Sequence, residues 1–217
     1  MTHRVCKREY IKHGVTPSVG KMQRKGLIAR WALPVAIGLI AIVVLFFGDD
    51  AALRLRYDRA AVAAGEFLRL ISAHGVHLGP AHLAMNIVGL GLVWFLVGEA
   101  FSPAQWALII ASSIALIDLG LWFLMPALDW YVGLSGLLHG MLAAGIAGIW
   151  RARRQEAMII AGVLLAKLGY EMLLGPLPGA ASTAGGDVIT DAHFFGALGG
   201  FAAAMAIYNR VRPTASI

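Results

Sequence analysis

Six apolar runs, each close to the length that crosses a lipid bilayer, constrain this chain more than any other feature. They cover approximately Ile28–Phe47, Ala81–Gly98, Gln105–Met125, Leu134–Trp150, Ala157–Leu174 and Ala192–Tyr208. A membrane helix needs about 20 mostly apolar residues, and backbone facing lipid must satisfy its own hydrogen bonds, so such runs are expected as helices. The composition agrees. The chain is 59% hydrophobic and 14% charged, against about 25% charged in soluble domains. Its 217 residues allow one domain. The expected fold class is all-α: a polytopic membrane protein with a bundle of six transmembrane helices.

The formal net charge of +6 is unevenly placed. The N-terminal segment through Arg30 holds Arg4, Lys7, Arg8, Lys12, Lys21, Arg24, Lys25 and Arg30. The loop after the fourth run adds Arg151, Arg153 and Arg154, and the C-terminus adds Arg210 and Arg212. The opposite side carries only Arg54, Arg56, Arg59 and Arg69. By the positive-inside rule both termini are expected in the cytoplasm. The domain organisation that follows is a basic cytoplasmic tail over residues 1–27, a membrane domain over 28–210 and a short C-terminal tail over 211–217. The basic tail then sets topology and meets anionic lipid, and no nucleic-acid partner is expected, since no recognition motif accompanies the charge. Arg30 can snorkel to the interface. A cleavable signal peptide is not expected, because the first run is too long and no small-residue cleavage site follows it. Cys6, the one cysteine, excludes an internal disulfide and a thiolate cluster. The loop "AALRLRYDRAAVAAGEFLRL" after the first run reads as an interfacial helical hairpin lying on the membrane surface.

Polar groups inside membrane spans are costly and mark function by default. Here they converge on one leaflet. Ser135 starts the fourth span, His193 starts the sixth, and His77, His82 and Asn86 surround the start of the second, all at the non-cytoplasmic end. A serine hydroxyl needs a base to become a nucleophile, and His193 can serve if it lies within about 3 Å. His82 and Asn86, spaced i, i+4, project from one helix face and can donate to a developing oxyanion. The backbone N–H groups at the start of the Ser135 helix add further donors. Gly136 and Gly140 form one GxxxG, and Gly196 and Gly200 another. Small residues at this spacing let two membrane helices approach closely, which would bring Ser135 and His193 together.

An isolated serine at a helix start is more often a cap, and a lone interfacial histidine is usually structural, as expected for His74; His3 and His13 belong to the tail. The joint pattern outweighs those readings. Other chemistries find less support. There is no HExxH zinc motif. Asp187 falls in a loop with no second aspartate to match it. "GLSGL" lacks the last glycine and the preceding strand of a soluble nucleophile elbow.

With these residues in place, the chain resembles the rhomboid intramembrane serine proteases over about residues 66–208. "HLGPAHLAMN" matches the family's histidine-histidine-asparagine motif at His77, His82 and Asn86; "GLSG" at Gly133–Gly136 matches its nucleophile motif; "AHFFGALGG" matches its AHxxGxxxG motif. The resemblance implies a six-helix rhomboid-like bundle around a water-filled cavity open to the periplasm, in a bacterial inner membrane. It implies Ser135 and His193 as a catalytic dyad, with no metal, no cofactor and no third catalytic acid. It further implies that His82 and Asn86 assist the oxyanion and that His77 supports the first loop. Within the family the chain is similar to the rhombosortases, through "GLSGLLHG", "KLGYEMLLGPLP" and "DAHFFGALGG". That similarity implies single-pass membrane substrates carrying a C-terminal GlyGly-CTERM tail.

Two departures stand out. The family's tryptophan–arginine motif in the first loop is not evident, and "EFLRL" occupies a related place. His139 stands where many members carry an aromatic that packs on the catalytic histidine; it is expected as a buried, satisfied histidine, the alternatives being that it stacks there or hydrogen-bonds. Lys167 and Glu171, i, i+4 on the fifth span, are expected as a structural ion pair, and Asp118 has no evident partner. Two alternative functions are a rhomboid-fold pseudoenzyme that binds membrane segments without cutting them, and a transporter relaying protons through Asp118, Lys167 and Glu171.

Overall fold

The computed structural model describes residues 19–211. Of the tails expected over 1–27 and 211–217, residues 1–18 and 212–217 lie outside the described residues. The chain divides at Ala32/Leu33 into two units, the smaller holding the first turns of the first helix and the larger all that follows.

Helix and loop alternate as the hydropathy requires. The long helices are α1 (Val19–Phe46), α5 (Pro80–Val97), α6 (Pro103–Leu124), α7 (Ser135–Ile149), α8 (Arg154–Leu174) and α10 (Asp191–Val211). Among the described residues, α5, α6 and α8 are long and apolar enough to cross a membrane. A fourth such span exists if Arg30–Phe46 and α2 (Gly48–Leu55), bent by 119° at Phe47, form one broken helix. The protein is an all-α, multi-pass membrane protein. Helix starts follow local chemistry. Pro80 and Pro103 occupy first-turn positions, where a missing N–H costs nothing. Ser102 and Gln105 close a capping box ahead of α6. α1 begins at Val19, earlier than the expected Ile28.

α7 is the central element. At 15 residues it is shorter than its neighbours, about 22 Å at 1.5 Å per residue. Most of its length is buried, including Gly136, Leu137, Gly140, Met141, Ala144 and Gly145. A helix apolar on all faces and buried all round is a core helix. Its closest partner is α10. A Cβ on Gly136 would stand 2.7 Å from Ala192 O, and one on Gly140 would stand 2.6 Å from Gly196 O. In the reverse direction, a Cβ on Gly196 would run into Gly136 O, and one on Gly200 into Gly140 O. The two GxxxG stripes therefore interlock backbone to backbone. Ser112 Oγ also donates to Gly199 O at 2.9 Å, tying α6 to α10.

The first loop departs from a plain helical hairpin. It contains α2, the short α3 (Arg59–Ala63) and α4 (Arg69–Ser72), then a 3-10 turn at Ala73–Gly75. It also contains a two-residue strand, β1 (Tyr57–Asp58), paired antiparallel with β2 (Trp130–Tyr131). Tyr57, Val62, Ala73, Tyr131 and Ala192 share one buried cluster with Ile117 and Leu121 of α6. Two arginines lock the loop. Arg59 donates to Leu121 O at 2.6 Å, Met125 O at 2.8 Å, Leu128 O at 2.9 Å and Trp122 O at 3.1 Å, capping the C-terminal carbonyls of α6. Arg69, the arginine of "EFLRL", donates to Leu53 O at 2.9 Å and Arg56 O at 3.2 Å while pairing with Glu66 at 2.7 Å. The Asp58 carboxylate caps α3 by accepting from Ala61 N–H at 3.2 Å, and that bond, helped by Arg56, holds it below the usual carboxylate range. Phe67, Leu68 and Ile71 remain exposed on the same loop, an apolar face suited to the bilayer interface.

Candidate active site

The site is assembled where the loop after β2 turns into α7. Tyr131 donates its hydroxyl to Gly133 O at 2.9 Å, and Gly133 N–H donates to Ala73 O at 3.1 Å. The second bond joins the first loop to the Ser135 loop, and the first stiffens the Ser135 loop from within. Gly133 itself has φ +130°, a conformation that only glycine adopts readily. A Cβ there would also stand 3.2 Å from His82 Cε1. Glycine is required twice over, by backbone and by neighbour. α7 then begins at Ser135, which is half-buried.

Close packing of α7 on α10 brings His193 alongside. Ser135 Oγ lies 2.9 Å from His193 Nε2. His193 is 3% exposed, so its ring has little competition from water. Its other nitrogen, Nδ1, lies 2.9 Å from Glu171 Oε2 on α8. A carboxylate only accepts, so Nδ1 carries the proton and Nε2 presents its lone pair to the serine hydroxyl. Glu171 Oε1 is 2.6 Å from Lys167 Nζ, which stands 3.5 Å from His193 Nδ1. The ion pair expected between Lys167 and Glu171 is therefore present, but it does not stand apart. Three helices place Ser135, His193 and Glu171 in one hydrogen-bonded line. The family resemblance implies no third catalytic acid; here the Glu171 carboxylate lies within hydrogen-bond distance of His193 Nδ1. The Lys167/Glu171 pair lies near the end of α8 that shares a leaflet with Ser135 and His193. That shared depth was the signal in the sequence that could have connected them.

His139 is stacked on His193, with ring centroids 4.2 Å apart and planes 16° from parallel. Its Nδ1–H donates to Ser135 O at 2.7 Å, so the ring is both held by its own helix and laid on the imidazole. His82 and Asn86, on α5, are both buried. Leu78 N–H donates to His82 Nδ1 at 3.3 Å, which leaves the His82 proton on Nε2, the edge that faces Gly133 beside Ser135 Oγ. Asn86 Nδ2 donates to His82 O at 3.1 Å, within α5. His77 sits edge-on to His82 at 5.1 Å and donates from Nδ1 to Gly75 O at 3.2 Å, on the first loop. Burial, with His82 beside it, brings its imidazolium down to about 4, so the ring is neutral near pH 7.

His139, Glu171 and His193 offer ligand atoms within 4.8 Å of one another, a spacing that could hold a metal ion. The positive charge that Glu171 faces is already supplied by Lys167 at 2.6 Å, and each of the three donors has a protein partner. Asp118, without an evident partner in the sequence, lies 3.4 Å from His74 Nε2, where the turn after α4 meets α6. His74 in turn packs edge-on against Tyr131, with ring centroids 5.7 Å apart. No curated protein matches the chain. A rhomboid-domain family model matches residues 64–210, well over half of the chain, and the protein belongs to the rhomboid family, whose members act on membrane proteins within the bilayer.

Proposed function

We propose that this protein is an intramembrane serine endopeptidase with Ser135 as nucleophile and His193 as general base. The observation that carries the reading is the 2.9 Å separation of Ser135 Oγ and His193 Nε2 in a buried setting. As Oγ attacks the scissile carbonyl carbon, its proton passes to Nε2. The carbonyl oxygen becomes an oxyanion and accepts from His82 Nε2–H, the Asn86 amide and the free N–H groups at the start of α7. The intermediate collapses, the C–N bond breaks, and His193 returns the proton to the departing amine. Water then attacks the Ser135 ester carbon and gives a proton to His193 Nε2; the C–Oγ bond breaks, His193 returns that proton to Oγ, and the acyl group leaves as a carboxylic acid.

In this reading residues 28–210 form six spans, with residues 1–27 and 211–217 in the cytoplasm. The membrane is the inner membrane of a bacterium, and Ser135 faces the periplasm. The excess of Lys and Arg on one side of the spans supports that orientation. The length of α7, about 22 Å, is less than the hydrocarbon thickness of about 30 Å. A Ser135 at its start would therefore lie below the periplasmic surface, at the depth of a substrate's membrane segment. The substrates are single-pass proteins with a C-terminal tail of the GlyGly-CTERM type, as in the rhombosortases.

The test is labelling by a fluorophosphonate probe in native membranes. Wild type should be labelled at Ser135, and Ser135→Ala and His193→Ala should not. Equal labelling of wild type and Ser135→Ala removes the enzyme reading.

A further inference from the structure

We propose that Glu171 is a positioning residue for His193: it holds Nδ1–H, sets the ring's tautomer and orientation, and faces the imidazolium that forms when Ser135 gives up its proton. The proposal rests on the dyad reading above and deepens it by adding α8 to the machinery.

The carboxylate is placed for this in several independent ways. Glu171 is 5% exposed. A buried carboxylate costs several kcal/mol unless its oxygens are paired. A purely structural ion pair would need one oxygen facing Lys167. Here the two oxygens have different partners, Oε1 toward Lys167 at 2.6 Å and Oε2 toward His193 Nδ1 at 2.9 Å. Lys167 competes for Nδ1 only from 3.5 Å, longer than an ordinary N–H···N or N–H···O bond. Its ammonium is instead directed at Glu171 Oε1, at 2.6 Å, which leaves Oε2 to His193.

The second placement concerns what else could orient the imidazole. His139 covers one face of it at 4.2 Å. Stacking limits tilt but leaves the ring free to turn in its own plane and says nothing of the tautomer. Without an acceptor at Nδ1 the proton can reside on Nε2, where it would point at Ser135 and abolish base function. One in-plane acceptor removes that state. Glu171 supplies it from α8, whereas the serine and histidine come from α7 and α10. The seat of α8 against the bundle thus becomes part of the geometry of the reaction.

The same carboxylate acts as charge develops. When Nε2 takes the serine proton, the ring gains a positive charge 2.9 Å from an anion. That interaction is stronger in the transition state than in the resting enzyme, the condition for raising the rate. No covalent change at Glu171 is needed, and its proton count stays constant through the cycle.

The experiment compares purified wild type, Glu171→Gln and Glu171→Asp in detergent micelles, using a fluorophosphonate probe. Both kinact and KI are measured, with Tm alongside. Glu171→Gln should lower kinact by roughly 10²–10⁴-fold, by analogy with loss of the orienting acid in serine triads, with KI unchanged and Tm close to wild type. Glu171→Asp should recover part of the loss. A folded Glu171→Gln with wild-type kinact overturns the proposal. So that the answer does not depend on that variant folding, the His193 tautomer is also read by 15N NMR in wild type and in Ser135→Ala. A proton on Nδ1 in both is expected, and a proton on Nε2 overturns the proposal. Absence of any wild-type labelling would instead remove the protease reading, with the tautomer still deciding whether Glu171 holds the ring.

Discussion

In the proposed mechanism the one side chain of His82 serves both the scaffold and the chemistry. Its Nδ1 accepts from Leu78 N–H at 3.3 Å, which anchors the turn before α5, and its Nε2 edge faces Gly133 beside the serine. Among the described residues the Asn86 amide donates to His82 O at 3.1 Å, and its second N–H is available to an oxyanion. Loss of one oxyanion donor typically costs about 10²–10³ in rate. Asn86→Ala and His82→Ala should each slow Ser135 labelling by that order, but His82→Ala should also lower Tm, because it leaves the Leu78 N–H without its acceptor. A Tm loss in Asn86→Ala as large as in His82→Ala would assign Asn86 to the scaffold instead. The i, i+4 spacing of these two residues, and the depth they share with Ser135 and His193, were legible in the sequence because hydropathy fixes depth. Glu171 was legible only as half of an ion pair. A local i, i+4 partner accounts for one carboxylate oxygen and conceals the tertiary partner of the other. Asp118 offered no local signal, since His74 reaches it only after the first loop has folded back onto α6.

The helices divide into those packed by backbone and those packed by side chains. On α10, a Cβ at Gly200 would collide with Gly140 O of α7, a backbone atom that cannot rotate away. On α8, Gly162 has open space around its would-be Cβ. The same substitution should therefore have opposite signs. Gly200→Ala should destabilise by roughly 1–3 kcal/mol through overpacking and should reduce labelling by parting Ser135 from His193. Gly162→Ala should be neutral or stabilising by up to about 1 kcal/mol through helix propensity. Thermal unfolding in micelles reads both, and a stabilised Gly200→Ala would show that the interlocked stripe does not carry the α7–α10 contact. Most helix limits were readable to within a few residues, because Pro80, Pro103 and the Ser102/Gln105 capping box announce them. The strand pair β1–β2 was not. A two-residue strand has no periodicity, and its partner Trp130–Tyr131 lies far along the chain. The role of Arg59 was hidden for the same reason, since it caps a helix other than its own.

The molecule as a whole constrains which peptide can reach Ser135. A helical substrate conceals its scissile carbonyl, because every backbone group is bonded internally inside the membrane. The approach to the serine is crowded: His82 stands over Gly133, His139 lies on His193, and Lys167 and Glu171 close the side toward α8. For the proposed protease, we therefore expect a substrate that presents extended backbone with little side-chain bulk. Glycine costs about 1 kcal/mol relative to alanine inside a helix, so a Gly-Gly pair just before an apolar span unwinds cheaply and adds no side chain. We expect cleavage of a C-terminal tail ordered as small residues and Gly-Gly, then an apolar helix, then a short basic end that stays in the cytoplasm. The released domain would be periplasmic. Co-expression of the wild-type enzyme with such a substrate, and with its Gly-Gly→Leu-Leu version, followed by mass spectrometry of the product, reads the preference directly. Tail removal should fall at least tenfold in the Leu-Leu version, which corresponds to about 1.4 kcal/mol of lost transition-state access. Equal processing of the two would set aside the Gly-Gly specificity, and it would leave the chemistry at Ser135 to be judged by probe labelling alone.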